Sequence, residues 1–307
     1  MRQELILNFL KEQNLEKYKI EELQKDASSR NYLRIKKDKQ SYIVMDCPED
    51  DGAIENFIKI SKILAKNSLS IPKILHQNLK DRILIIEDFG NDILTKYLEN
   101  HPYQEQEIYS LAIDNIIRIT GIKEIEQLKP HSKDVLLEAL RDFAQYYLNI
   151  DFAVIKVELE KIFNQLDFKH KYLCLRDFHA DNLFYLSNRQ SYNKIALIDY
   201  QDACQGFISY DLVSLIEDAR RFIPYEERIK YLNYFIQNKK DIDREYLSLE
   251  FSILSLQRNA RILGLFNKFA KKDNNKNYLK YIGNVEDYFY KNLENPIFKD
   301  FKSIIQK

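Results

Sequence analysis

The strand signals in this sequence occupy two places, and that distribution limits the folds available to it. A hairpin at 32–45 and two short apolar runs at 74–76 and 83–86 lie within the first ninety residues. Helical spacing of apolar residues predicts helices at 1–18 and 53–67, and beyond residue 90 the same spacing recurs almost to residue 173, with one helix expected at 132–149. The sequence therefore predicts an α+β chain with a small β-rich lobe at 1–88 and a larger, mostly helical lobe at 89–307.

A second strand pair is predicted inside the helical part, at 173–203. Two apolar runs flank a polar turn at 187–193, which is the pattern of a hairpin. Asp177 and Asn182 precede the first run, and Asp199 follows the second. Carboxylate and amide oxygens suit a hard cation such as Mg²⁺, and phosphoryl transfer also needs a carboxylate to accept a hydroxyl proton. Ordinary turn and capping roles for these three residues are the alternative.

The balance of charged residues argues against nucleic-acid and membrane partners. Lysine plus arginine and aspartate plus glutamate both number 47, so no general attraction to nucleic acid or a membrane surface is expected. No apolar run approaches the ~20 residues of a spanning helix, and the first residues lack a cleavable leader pattern. The three cysteines, Cys47, Cys174 and Cys204, lack metal-type spacing. We therefore expect a cytoplasmic protein with reduced thiols.

Several motifs together resemble one known family. The most specific is R-D-x-H-x-x-N followed by I-D-x-Q-D-A, at 176–203. Further matching stretches lie at 25–34, 43–50, 210–215 and 256–264. The chain resembles the aminoglycoside phosphotransferase branch of the protein-kinase-like superfamily. Within it, the chain is most similar to bacterial anomeric kinases of N-acetylmuramate and N-acetylglucosamine, which serve cell-wall sugar recycling. The resemblance implies a bilobal protein-kinase-like fold with a small antiparallel-sheet N-lobe and a helical C-lobe.

The resemblance also implies catalytic and metal-binding roles. Asp177 would be the catalytic aspartate that receives the proton of the acceptor hydroxyl. Asn182 and Asp199 would hold Mg²⁺ on the phosphates of ATP. These roles agree with the chemistry read directly from the three side chains.

Nucleotide-binding positions are implied in the N-lobe. Ser28 and Ser29 would lie over the phosphates, and Glu87 and Phe89 would offer backbone groups to adenine. Protein kinases also carry a strand lysine that pairs with the phosphates. Here the matching strand ends in Met45-Asp46, as it does in the sugar-kinase branch that the chain resembles. The candidates for the missing positive charge are Arg30, Arg34 and Lys36, of which Arg30 is assigned to the nucleotide site.

The acceptor side is less defined. Only twelve positions separate Asp199 from Asp211, too few for a long activation segment, so a small-molecule acceptor is favoured. Asp211 is interpreted as a helix cap that bonds to the backbone of the catalytic loop. His179 either contacts the acceptor or braces the loop, and Asp202 either binds the acceptor or caps locally.

A further acceptor contact is predicted in the last lobe. Arg258, with Arg261 on the same helix face, could reach an anionic acceptor such as the lactyl carboxylate of N-acetylmuramate. Ion pairs with surface acids such as Glu250 are the alternative.

The sequence thus predicts a kinase that uses ATP and Mg²⁺ to phosphorylate an amino sugar, with no nucleic-acid, membrane or obligate protein partner. Kinases for an aminoglycoside, a choline-like alcohol or another sugar remain alternatives, with Glu217, Asp218 and 241–245 as possible acids for a cationic acceptor. A nucleotide-binding pseudokinase is the third alternative, favoured by the missing lysine and opposed by the intact Asp177, Asn182 and Asp199.

Overall fold

The computed structural model describes residues 2–23, 30–49, 52–169, 172–240 and 242–306. The chain forms two compact units. The first unit contains Met1–Tyr97 and Asn182–Asp202, and the second contains Leu98–Asp181 and Ala203–Lys307. The first is built around an antiparallel sheet and the second is mostly helical, so the predicted fold class is confirmed.

The first unit contains a five-stranded antiparallel sheet in the order β1-β2-β3-β5-β4. Its strands are β1 Lys19–Glu22, β2 Asn31–Lys37, β3 Gln40–Asp46, β4 Ile74–Asn78 and β5 Ile83–Glu87. The continuous apolar run of β5 is explained by its place between β3 and β4, where Ile83, Leu84 and Ile85 are fully buried. The exposed strand β1 has no such run, and for that reason its sequence gave no strand signal.

Two helices belong to the first unit, α1 Arg2–Glu12 and α2 Ala53–Lys66. The helix α1 buries Ile6, Phe9 and Leu10 in one cluster with apolar residues of the sheet. Helix α2 buries Ile54, Phe57, Ile60 and Leu64, which recur at three- and four-residue spacing. The helix predicted at 1–18 is therefore shorter than expected, and the one predicted at 53–67 is confirmed.

The hairpin predicted near residue 190 is present. Its strands β7 Leu183–Tyr185 and β8 Ile195–Leu197 pair antiparallel. It joins the first unit because Ala196 bridges to Ser70, Phe184 bridges to Ile93, and the Leu197 N–H donates to the Ser70 carbonyl at 2.8 Å. Residues 89–97 and 182–202 thus lie in the β-rich unit, whereas the predicted ranges placed them with the helical lobe.

The second unit is helical, apart from the short antiparallel pair β6 Tyr172–Cys174 and β9 Cys204–Gly206. Its helices are α4 Glu105–Ile119, α5 Lys133–Glu138, α6 Phe152–Phe163, α7 Tyr210–Ile216, α8 Tyr225–Asn238, α9 Arg244–Lys271, α10 Ile282–Asn292 and α11 Lys299–Ile305. Helix α3 Leu94–Asn100 spans the boundary of the two units. The long helix α9 supplies much of the core, with Ile253, Leu254 and Leu263 fully buried.

A single helix predicted at 132–149 is interrupted. It consists of α5 and a separate π-helical segment, Phe143–Leu148, that ends at Asn149 with φ 58°. The segment packs closely against α9: a Cβ on Gly264 would lie only 2.3 Å from the Phe143 backbone nitrogen. This close approach therefore requires glycine at position 264.

All three cysteines are free and buried, as expected of reduced core thiols. Among the described residues, no helix is both long enough and apolar enough to cross a membrane.

Candidate active site

The loop that carries Asp177 follows β6 and is held through its backbone. The buried Asp211 carboxylate accepts the N–H of Leu175 at 2.7 Å and that of Arg176 at 2.8 Å. Ser214 donates its hydroxyl to the Arg176 carbonyl at 3.0 Å. Both sides of the Arg176 peptide are thus fixed, and its φ of 74° lies in the left-handed region that a side chain rarely adopts. Such a conformation persists only where its surroundings enforce it, which is typical of functional loops.

The structure corrects one part of the Asp211 prediction and confirms the other. Helix α7 is preceded by Ser209, and Asp211 lies inside its first turn rather than at the cap. Asp211 does bond to the backbone of the catalytic loop, as predicted. Burial raises its pKa to about 6, although the Leu175 and Arg176 N–H groups and the Cys174 thiol oppose that rise.

This raised pKa predicts a pH-dependent stability. An unfolded aspartate has a pKa of about 3.9, so between pH 4 and 6 the folded state binds more protons than the unfolded state. The contribution of Asp211 is therefore fully present below about pH 4 and is lost as pH rises through 6, by about 3 kcal/mol. Urea unfolding of Asp211→Asn, followed by circular dichroism at several pH values, should show that the variant lacks this loss. Asp134→Asn, an exposed acid in the first turn of α5, is the matched control. Parallel pH profiles for wild type and Asp211→Asn would contradict the assignment.

The second half of the loop is fixed by Asp218 and Arg220. Asp218 accepts the Ala180 N–H at 3.1 Å and the Arg220 N–H at 2.9 Å. Arg220 also pairs with Asp181 at 3.1 Å, and its Nη1 lies 3.4 Å from Nε2 of His179. The His179 ring is buried, and burial together with Arg220 and Arg258 lowers its pKa. These contacts favour the bracing role for His179, whose backbone N–H also bonds to the Asp177 carbonyl at 3.0 Å.

The two predicted metal ligands lie together in the first unit, at the open end of the hairpin, with Asn182 just before β7 and Asp199 just after β8. The Ile198 N–H donates to the Asn182 carbonyl at 3.1 Å, which places Asn182 beside the strand end that presents Asp199. Asp199 has φ 58°, and its carboxylate pairs with Arg30 at 3.0 Å. The buried Gln201 donates to Asp199 at 3.1 Å and to Asp202 at 2.9 Å.

The donor set fits Mg²⁺. Nucleotide-bound Mg²⁺ takes one or two protein oxygens and completes its shell with phosphates and water. Asn182 and Asp199 offer such a pair. Across the described ranges, no three His, Cys, Asp or Glu side chains form a group that could hold a metal ion by themselves. A cation at this hairpin would therefore depend on the ligand that it accompanies.

The predicted adenine-binding residues are tied to the hairpin turn by Arg189. Its guanidinium pairs with the Glu87 carboxylate at 2.9 Å and lies 5.3 Å from the centre of the Phe89 ring. Phe89 also packs against Phe184 of β7. The Glu87 N–H is already bonded to the Lys73 carbonyl at 2.9 Å, so a contact from Glu87 to a base would use its carbonyl oxygen.

The three candidates for the missing strand lysine differ in their partners. Arg34 pairs with Asp88 at 2.8 Å, and Lys36 pairs with Glu21 at 3.1 Å. Only Arg30 of the three pairs with a predicted metal ligand, and Tyr32, Asp199 and Asp202 raise its pKa although burial lowers it. Asp46, at the strand end, accepts from Arg2 at 2.6 Å and from Asn31 at 3.1 Å. The predicted phosphate contacts Ser28 and Ser29 lie outside the described residues.

The acceptor-side predictions fall in both units. Arg258 is buried, and its Nη1 donates to the Glu217 backbone carbonyl at 3.3 Å. The alternative of a surface ion pair with Glu250 is wrong, because Glu250 is itself buried and accepts from Ser209 at 2.7 Å. Asp202 is exposed and, like Asp199, lies in the first unit.

Two residues of this region were missed by sequence reasoning. Gln201 is part of the I-D-x-Q-D-A motif, and that position alone could have predicted its role in orienting Asp199 and Asp202. Arg189 lies in a polar turn, and nothing in the sequence around it indicates its long-range contacts with Glu87 and Phe89.

Comparisons with known proteins found a family and several relatives that this chain resembles. The sequence profile of the phosphotransferase enzyme family, APH, matches residues 19–249. A protein of Caulobacter vibrioides named N-acetylmuramate/N-acetylglucosamine kinase is 26% identical over 327 aligned positions, which cover 92% of this chain and 90% of that protein.

Solved structures show the same fold. The choline kinase LicA of Streptococcus pneumoniae has a TM-score of 0.66 at 13% identity, covering 94% of this chain and 99% of that one. A spectinomycin phosphotransferase, solved with ADP and spectinomycin, has a TM-score of 0.57 at 14% identity, covering 96% and 95%. At these identities the likeness concerns the fold alone.

Proposed function

Because this chain belongs to the phosphotransferase enzyme family, we propose that it is a kinase that transfers the γ-phosphate of ATP to a hydroxyl of an amino sugar. The observation that carries the proposal is the Asp177 loop, whose backbone is fixed by the buried Asp211 and Asp218. Two features of this loop matter for the reaction. It holds the Asp177 carboxylate in a fixed position, and it leads directly into Asn182, which lies beside Asp199.

In this proposal the chain works by positioning and electrostatics. Asp177 orients the acceptor hydroxyl and accepts its proton, and the fixed Arg176 peptide prevents the loop from swinging away. Asn182 and Asp199 would hold Mg²⁺, which supplies positive charge to the phosphate oxygens. Gln201 limits the rotation of the Asp199 carboxylate through its hydrogen bond.

The proposed acceptor is N-acetylmuramate or N-acetylglucosamine, phosphorylated at the anomeric hydroxyl in cell-wall recycling in the cytoplasm. The name of the Caulobacter vibrioides relative supports this choice. The structure removes one support for a polycationic acceptor. The buried Glu217 carboxylate is already bonded to Arg228, Ser255 and Asn259, and Asp218 to two backbone N–H groups. Neither acid is available to bind such an acceptor.

An ATP-consumption screen over amino sugars, aminoglycosides and choline tests the proposal, with the product located by phosphorus NMR. Turnover with an amino sugar and a phosphorus signal coupled to the anomeric proton is the expected result. Turnover confined to choline or an aminoglycoside would show that the proposed amino-sugar acceptor is wrong. ATP binding without turnover on any acceptor would indicate a pseudokinase.

We propose further that Arg30 replaces the missing strand lysine by moving from Asp199 to the nucleotide phosphates. Losing one charge-assisted hydrogen bond of this kind costs about 1.5–3 kcal/mol, so Arg30→Met should weaken Mg²⁺–ATP binding roughly tenfold or more in calorimetry. Lys36→Met, which removes an exposed pair with Glu21, is the control. Tighter binding by Arg30→Met would instead mean that Arg30 only masks Asp199.

A further inference from the structure

Three arginines of the second unit act electrostatically on Tyr210. Arg258 and Arg261 are three positions apart on α9, so they share one helix face, and Arg176 lies in the catalytic loop. All three act electrostatically on the Tyr210 hydroxyl, lowering its pKa against the larger effect of burial. The His131 ring packs edge-on against Tyr210 at 5.0 Å. We refer to Arg176, Arg258 and Arg261 as the arginine cluster.

The positive charge of the arginine cluster is not neutralised by ion pairs within the described part of the chain. The Nε atom of each of its three arginines is buried and has no hydrogen-bond partner there. Arg258 is only 3% exposed, and its Nη1 reaches a backbone carbonyl rather than a carboxylate. Leaving a buried charged donor unsatisfied costs more than an ordinary lost hydrogen bond, so such donors normally have a partner or await one.

The acids near the arginine cluster are engaged elsewhere. Asp211 accepts two backbone N–H groups of the catalytic loop, and Asp218 accepts those of Ala180 and Arg220. Glu217 directs its carboxylate to Arg228, with which it pairs at 3.1 Å. Asp218 favours the charged form of Arg258 through space, but none of these three acids forms an ion pair with the cluster within the described residues.

The neighbouring histidine, His131, does not change the net charge of the arginine cluster. Burial, Arg176 and Arg261 together lower the pKa of His131 to about 3. The His131 ring is therefore uncharged at any physiological pH. Its surroundings, like those of Arg258, whose pKa is lowered by burial and by Arg261, are those of a site with excess positive charge.

We propose that the arginine cluster is a carboxylate-binding subsite beside Asp177, which makes the chain selective for amino sugars that carry an acidic ring substituent. The inference rests on the proposed function and names the substrate class of that same site. Asp177 lies next to Arg176 in sequence and acts electrostatically on Arg258, so an acceptor bound at the cluster has its hydroxyl near the catalytic carboxylate. The planar guanidinium groups match the two oxygens of a carboxylate.

The test compares N-acetylmuramate, which carries a lactyl carboxylate, with N-acetylglucosamine, which has a hydroxyl in its place. Arg261→Met should lower the ratio of kcat/KM for the acidic over the neutral sugar by at least about tenfold, as expected for one charge-assisted hydrogen bond. Arg261→Lys, which keeps the charge without the bidentate geometry, should lower the ratio less. Arg244→Met, an exposed arginine of the same helix, is the matched control and should leave the ratio unchanged.

A second measurement separates failure of the subsite from failure of the kinase proposal. Saturation-transfer NMR without ATP should detect N-acetylmuramate bound to the wild type, and binding of its methyl ester should be at least about tenfold weaker. Arg261→Met should abolish this preference for the free acid while its melting temperature stays close to that of the wild type. If acid and ester bind equally well to the wild type, or if the variant keeps the preference, the subsite is wrong. If the preference is present but no amino sugar is phosphorylated, the subsite stands and the kinase proposal fails.

Discussion

Asp177→Asn is expected to lower kcat by roughly two to four orders of magnitude, the usual contribution of a positioned general base. The substitution keeps the size and hydrogen-bonding capacity of the side chain but removes its ability to accept a proton. The loop itself should survive, since its backbone is bonded to Asp211 and Asp218. Affinity for Mg²⁺–ATP, measured by calorimetry, should change little.

The appropriate control is Asp181→Asn in the same loop. Asp181 is 38% exposed and pairs with Arg220, so its loss should cost no more than a surface ion pair, about 0–1 kcal/mol of stability. A turnover of Asp177→Asn close to that of the wild type would show that Asp177 is not the base. Equal loss in both variants would mean that the loop had collapsed, which circular dichroism and melting temperature would reveal.

Asp199→Asn is the second variant with a large expected effect. Replacing a metal-binding carboxylate by a neutral amide should weaken Mg²⁺-dependent ATP binding by about a hundredfold or more, since even outer residues of metal sites contribute 10- to 100-fold. Asparagine tolerates the left-handed backbone of residue 199, where φ is 58°, so the hairpin should be retained. Calorimetric titration of ATP with and without Mg²⁺ separates the metal-dependent part of the affinity from the rest.

Asp38→Asn controls for the backbone in this experiment. Asp38 is also an aspartate with positive φ, 54°, but it lies in the exposed turn between β2 and β3. Its substitution should leave nucleotide binding intact. Undiminished Mg²⁺-dependent binding by Asp199→Asn would remove Asp199 from the metal site.

The local features of the fold were predictable from sequence because they depend on local patterns. The hairpin of β2 and β3 is marked by its turn, and β5 is marked by a continuous apolar run. Helix α2 has a clear buried face. The interruption of the helix at 132–149 was not predictable, since the packing of this segment involves Gly264, more than a hundred residues later. Strand β1 escaped prediction because it is mostly exposed and its sequence, Lys-Ile-Glu-Glu, is polar.

The candidate site divides in the same way. Asp177, Asn182 and Asp199 could be singled out because the chemistry requires those residue types at that spacing. Charge partners could not: the pairing of Arg30 with Asp199, and the absence of any carboxylate partner for the arginine cluster within the described residues, are products of tertiary packing. Sequence also left open an ion pair of Arg258 with surface acids such as Glu250, whereas both residues are buried.

The attachment of the 182–202 hairpin to the β-rich unit has a consequence for how the protein is made. Ser70 bonds to Asn193 at 2.7 Å although the two residues are 123 positions apart. During synthesis the N-terminal sheet leaves the ribosome long before the hairpin that completes its unit, and the ribosome adds only about 5–20 residues per second. The sheet must therefore wait several seconds while Ser70, which receives the hairpin, remains uncovered. Of the two units, the helical one includes the last residues, but the β-rich one also cannot finish folding until about two thirds of the chain has emerged.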